Sequence, residues 1–78
     1  MLKKEEKLII TFHTTADAMA MEKMCRKKEL PGRLIPVPRE ISAGCGLSWA
    51  APPSEREVFE TALKQAGIAY EQIQVLSI

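Results

Sequence analysis

The sequence predicts an α+β fold of order β-α-β-β-α-β, and three observations carry that prediction. Two helix-like stretches are interleaved with four short runs rich in β-branched and apolar residues. The second run, "RLIPVP" (Arg33 to Pro38), holds Pro36 and Pro38; proline cannot donate to a strand ladder, so this strand belongs at a sheet edge. The chain has 78 residues, enough for one domain with one core and no second core of any size. A four-stranded antiparallel sheet with both helices on one face satisfies all three.

Each element has its own justification. "KLIITFH" (Lys7 to His13) is a β-branched and aromatic run, with Leu8, Ile10 and Phe12 on the face expected to meet the core and Ile9, Thr11 and His13 on the other. "TTADAMAMEKMCRKKE" follows as a helix. Thr14 with Asp17 three residues on fits a helix start, and Ala18, Met21 and Cys25 form a stripe with Ala20 and Met24. The methionines are expected in the core. Arg26, Lys27 and Lys28 complement the helix dipole in the last turn, and Pro31-Gly32 is expected to stop the helix. "GLSWAA" (Gly46 to Ala51) is the third strand, with Trp49 expected inside, and Pro52-Pro53 breaks it. In "SEREVFETALKQAG" a capping box of Ser54 and Glu57 is expected to open a helix whose stripe is Val58, Phe59, Ala62, Leu63 and Ala66, with Gly67 ending it. "IAYEQIQVL" is the last strand. The whole, residues 1–78 as a single domain, is the ferredoxin-like arrangement.

Composition excludes several classes. With 46% apolar and 27% charged residues the chain reads as an ordinary globular domain rather than a disordered one. A net charge of +1 leaves no electrostatic footprint for nucleic acid or an anionic membrane. No apolar run approaches a bilayer span, and "MLKKEEK" mixes both signs of charge without the apolar core of a signal peptide. A cytoplasmic protein with reduced thiols is therefore expected. Two cysteines and one histidine, with no C-x-x-C, do not make a tetrahedral zinc site. No metal and no cofactor is expected.

The candidate chemistry centres on "PREISAGCGLSW" (Pro38 to Trp49). Gly44 and Gly46 flank Cys45 and strip it of neighbouring side chains, which suits a thiol that must be reached; a tight turn would use the same two glycines without any chemistry. In the predicted topology the loop into the third strand, the end of the first strand and the start of the first helix share one rim of the sheet. Cys45, His13 and the opening helical turn are thus expected together. A free thiol has a pKa of about 8.5, and an exposed helix N-terminus favours the thiolate by only roughly 0.3–1 kcal/mol. Arg39, six residues upstream on the loop, is a candidate thiolate stabiliser, His13 a candidate acid/base near neutrality, and Asp17 an opposing charge. The result expected is a modestly activated thiol. Cys25 is about ten residues into its helix, some ~15 Å below the rim, too far to pair with Cys45 within one chain, and reads as a small core hydrophobe.

"RLIPVPREISAGCGL", preceded by "FHTT" and followed by "LKQAGIAYEQI", resembles the selenium/sulfur carrier-like family, a small bacterial group, from Lys7 to about Val75. The most distinctive part is the P-R-E-I-S run leading to C-G-L. The resemblance implies that Cys45 carries sulfur or selenium as a persulfide or selenopersulfide, received from a cysteine desulfurase-like donor and passed to an acceptor protein. It implies a carrier more than a stand-alone enzyme. The C-P-x-P signature of better-known small sulfur-transfer proteins is missing, as is the M-x-C-x-x-C loop of ferredoxin-like copper chaperones. The alternative is a non-catalytic ligand-binding or regulatory protein-interaction module, with pairing of two copies through the open sheet face as a possible homodimer.

Overall fold

The computed structural model describes residues 5–38, 41 and 46–77. Strand β1 (Glu6–Thr11) leads into helix α1 (Thr15–Lys28); β2 (Arg33–Pro36) and β3 (Leu47–Ala51) follow, then a 3₁₀ turn (Pro53–Glu55), helix α2 (Arg56–Ala66) and β4 (Gln72–Ser77). The sheet order is β2-β3-β1-β4 with every neighbouring pair antiparallel. This is the ferredoxin-like arrangement, and the proline-bearing β2 occupies an edge.

Register fixes the two faces of the sheet. Ile10 pairs with Trp49 on one side and Ile73 on the other, and Leu8 with Ala51 and Val75. Since directly paired residues share a face, these side chains form one apolar floor. Ala18, Met21, Met24 and Cys25 of α1 and Phe59, Ala62 and Leu63 of α2 join Leu8, Ile10, Phe12, Trp49 and Ala51 in one buried cluster. Both helices therefore cover the same face. Ile9 and Thr11, on the opposite face, are buried as completely as Leu8 and Ile10. The buried Thr11 hydroxyl is satisfied by the Gln72 N–H, which donates to its Oγ1 at 3.1 Å.

Helix α1 opens as its sequence dictates. Thr14 is the N-cap, its Oγ1 accepting from the Asp17 N–H at 3.1 Å while its hydroxyl donates to Asp17 Oδ2 at 2.8 Å. At the other end the stop comes before Pro31-Gly32. Glu29 takes a left-handed conformation (φ 56), and the Leu30 N–H reaches back to the Cys25 carbonyl at 2.8 Å, the closure that normally favours glycine.

The remaining differences from expectation have local causes. Met19 and Ala20 face outward, Met19 with 59% of its surface exposed, because α1 rests on the sheet through Ala18, Met21, Met24 and Cys25. Ser54 and Glu57 do not form a capping box: Pro52-Pro53 starts a 3₁₀ turn that absorbs Ser54, so α2 begins at Arg56 with Glu55 as an N-cap that makes no side-chain bond. Val58 and Ala66 lie on the outer side of α2, leaving Phe59, Ala62 and Leu63 as its buried stripe. Gly67 ends α2 in a left-handed conformation (φ 68). The Ile68 N–H still bonds the Leu63 carbonyl at 3.1 Å, so the chain is finishing a helix where a strand was expected, and β4 starts at Gln72. Trp49 is core, as expected, and its indole N–H donates to the Pro31 carbonyl at 3.2 Å. That contact runs over Gly32 (φ 114), where any Cβ would lie 2.5 Å from Trp49 Nε1.

Candidate functional site

Of the site predicted from sequence, His13 and Gly46 are described, and they stand where β1 ends and β3 begins, at the rim that also holds the end of β2 and the start of β4. Thr11 pairs with Ser48 on β3 and Gln72 on β4, and Pro36 pairs with Leu47. Beyond those last pairs the four chain segments leave the sheet at one rim. The Val37 N–H donates to the Gly46 carbonyl at 3.0 Å and extends the β2–β3 ladder by one step. His13 stands two residues past Thr11, Gly46 two residues before Ser48, and Glu71 one residue before Gln72. The rim thus collects His13, the Thr14 cap, Gly46 and Glu71.

Cys45, Arg39 and Gly44 lie outside the described residues. The covalent neighbour of Cys45 is described. Gly46 is exposed, has φ 77, and a Cβ built on it would meet nothing within 4 Å among the described residues. Glycine suits this backbone conformation, which L side chains adopt at a cost of roughly 1–2 kcal/mol.

His13 carries an exposed side chain, its Nδ1 4.0 Å from Glu71 Oε1. Glu71 is held by its backbone, the N–H donating to the Thr11 carbonyl at 2.7 Å. Its other oxygen, Oε2, is buried with no hydrogen-bond partner among the described residues. The positive end of α1 is already engaged by Asp17, whose carboxylate sits in the first turn and accepts from the Thr14 hydroxyl. The helix dipole at this rim is answered from within the helix.

Cys25 is the contrast. It is 1% exposed within the helix–sheet core, and burial pushes its thiol from the ordinary value of 9.0 up to about 11. It is a free, un-ionised sulfur away from the rim, matching the reading of a core hydrophobe.

With this geometry in view, comparison with known families is decisive over most of the chain: residues 7–74 match the family described as "Putative Se/S carrier protein-like". The chain belongs to the Se/S carrier-like family. The match begins at the start of β1 and runs into β4, so it takes in both helices and the P-R-E-I-S…C-G-L run that carried the resemblance. No curated protein and no solved structure matches this Se/S carrier-like chain. No helix among its described residues is long and apolar enough to cross a membrane.

Sequence reasoning named His13 but missed Glu71. "IAYEQIQVL" reads as one continuous strand, which hides Glu71 inside it, whereas β4 starts one residue later. The available signal was the polar Glu71-Gln72 pair after Tyr70, placed where an antiparallel last strand must begin at the same rim that ends the first.

Proposed function

We propose that this Se/S carrier-like chain holds a sulfur or selenium atom on Cys45 and passes it between a cysteine desulfurase-like donor and an acceptor protein. Family membership across residues 7–74 is the observation that carries this reading. In the loading step the Cys45 sulfur attacks the outer sulfur of the donor's persulfide. A new S–S bond forms to Cys45, the donor's S–S bond breaks, and the electron pair leaves on the donor thiolate. The transferred sulfur keeps its oxidation state, so no outside oxidant or reductant enters. In unloading, a nucleophile on the acceptor attacks that same outer sulfur and the Cys45 thiolate leaves. Carbon–sulfur cleavage belongs to the donor, so the chain needs only an accessible thiol, a means of handling one proton, and a surface both partners can reach. Arg39 is assigned to stabilise the thiolate, and Gly44 and Gly46 to shape its loop.

The test is intact mass after incubation with a desulfurase and cysteine. The expected result is the addition of one sulfur atom to the wild type, mapped to Cys45 by peptide analysis, and no addition to Cys45→Ser. An active donor that leaves Cys45 unmodified would refute the carrier role. A Cys45→Ser chain that kept its partner function would favour a binding module instead.

A further inference from the structure

We infer that the groove between helices α1 and α2, on the side of the protein away from the sheet, is a docking site for an acidic amphipathic helix of a partner protein. The groove is distinct from the rim, and its use does not depend on sulfur carriage.

The groove is made by the way the helices sit. Each rests on the sheet through its own buried stripe, yet the two make few close approaches to one another. The seam between them is left as two adjoining hollows of about 560 and 420 Å³ that share Lys28. Ala20, Met24, Ala66 and Ile68 give the larger hollow its apolar lining, and Leu30, Val58 and Ala62 that of the smaller. Met24 and Ala62 belong to the buried core, and Leu30 and Ile68 pack against it, so the floor of the seam is the back of the core. Val58 is 43% exposed and lines the smaller hollow, while Met19, also exposed, lies one turn before Lys23 on the same side of α1. The exposed large apolar side chains of both helices thus border one seam. A helix laid along it would place apolar residues at i, i+3, i+4 and i+7 into successive hollows.

Charge selects the occupant. The charged residues lining the larger hollow are Lys23, Lys27 and Lys28, with no acid among its lining. None of the three forms an ion pair among the described residues; Lys28 Nζ donates across the seam to the neutral Gln65 Oε1 at 3.5 Å. Lys27 and Lys28 also complement the α1 dipole from its last turn, but Lys23 stands a turn earlier, beyond that effect. Three cations beside an apolar floor attract carboxylates and repel a basic partner. They disfavour a second copy, because two-fold pairing through this seam sets the lysine rim against itself. A bilayer is met by an apolar helix face that can sink into it, whereas Met24 and Ala62 are recessed, at 9% and 5% exposure.

The test uses the full chain and a synthetic helical peptide with a leucine stripe at i, i+3, i+4 and i+7 flanked by glutamates. A second peptide carries lysines in place of the glutamates. Amide NMR shifts locate binding, and fluorescence anisotropy measures it. The glutamate peptide should shift Lys23, Met24, Lys27 and Ala66, should weaken as salt is raised, and should bind about tenfold more tightly than the lysine peptide. Lys23→Glu combined with Lys27→Glu should weaken it by about tenfold, two rim attractions becoming two repulsions, and should strengthen the lysine peptide. Ala66→Trp, which fills the larger hollow from an exposed position, should weaken the glutamate peptide while the amide spectrum of the core stays unchanged, separating lost binding from lost folding. Shifts mapping elsewhere, equal binding of the two peptides, or a double lysine variant that binds as the wild type does would each overturn the assignment. Phosphatidylserine vesicles engaging these amides where the peptide does not would overturn it in favour of a membrane, and concentration-dependent shifts of the same amides in the chain alone would overturn it in favour of a second copy. None of these outcomes bears on loading of Cys45 with sulfur.

Discussion

Cys25 supplies a quantitative prediction about how the two thiols separate in solution. Its thiol is raised from 9.0 to about 11 by burial, so at pH 7 its thiolate fraction is on the order of one in ten thousand, against about 1% for a thiol at 9.0. Ionisation alone thus slows its reaction with an electrophile by roughly 100-fold, and the 1% exposure of the residue adds a steric barrier. Native protein treated briefly with iodoacetamide at pH 7 should therefore take one label, on Cys45, and Cys45→Ser should take none until denaturant is added. Labelling of Cys25 in folded Cys45→Ser, at a rate near that of a free thiol, would refute the argument.

The same shift has a thermodynamic consequence of definite sign. A thiol held protonated by the fold binds its proton more tightly when folded than when unfolded, so its contribution is fully present below pH 9.0 and is lost as pH rises from 9.0 to about 11. Two pH units at 1.36 kcal/mol each put that loss at about 2–3 kcal/mol, a large part of the roughly 4–12 kcal/mol expected for a chain of this size. Urea unfolding of wild type and Cys25→Ala at a series of pH values isolates it. The variant should be less stable near neutrality and should lack this part of the alkaline decline, so the gap between the two narrows by about 2–3 kcal/mol by about pH 11. Parallel curves across that window would show that the buried thiol is not the source.

Other perturbations test the scaffold around the rim. Gly32→Ala should destabilise by about 2–5 kcal/mol, combining the positive-φ penalty with overpacking against Trp49, and should lower the thermal midpoint far more than Gly46→Ala. A Cβ at the latter meets nothing within 4 Å among the described residues, and the substitution should cost the backbone term of about 1–2 kcal/mol. Thr14→Ala should cost about 1 kcal/mol through loss of the α1 cap, read by chemical denaturation, with sulfur loading of the folded protein retained.

What the sequence revealed about the fold depended on signals that are local. The prolines of β2 forbid a central position whatever lies around them, and Thr14-Asp17 closes its own cap within four residues. Where a neighbouring segment competed, the local signal misled. Ser54 and Glu57 have the right spacing for a capping box, yet the prolines before them impose a 3₁₀ turn that takes Ser54 out of the N-cap position. Val58 sits within the expected stripe of α2 and Met19 among the methionines expected in the core, yet both are exposed. The rim was legible as topology, because the order of the elements dictates which loops share an end. The His13–Glu71 pair was not, because it joins the end of the first strand to the start of the last, and only the register Thr11↔Gln72 brings them together.

The placement of Cys25 bears on the proposed chemistry as well as on packing. A persulfide on a carrier is destroyed when a second thiolate attacks its inner sulfur, forming a disulfide and expelling hydrosulfide. That side reaction requires an ionised thiol within bonding reach. The helix–sheet core denies both conditions at Cys25. Its sulfur is held protonated at any physiological pH, and it is enclosed by the packing that joins Met21, Met24 and Trp49. A small carrier can therefore contain a second cysteine without shortening the life of its cargo, provided the fold keeps that cysteine un-ionised. Replacing Trp49 by alanine, which opens the packing over the core, should expose Cys25 to alkylation by iodoacetamide in the folded chain, and a Cys25 that stays unlabelled would show that Trp49 is not what encloses it.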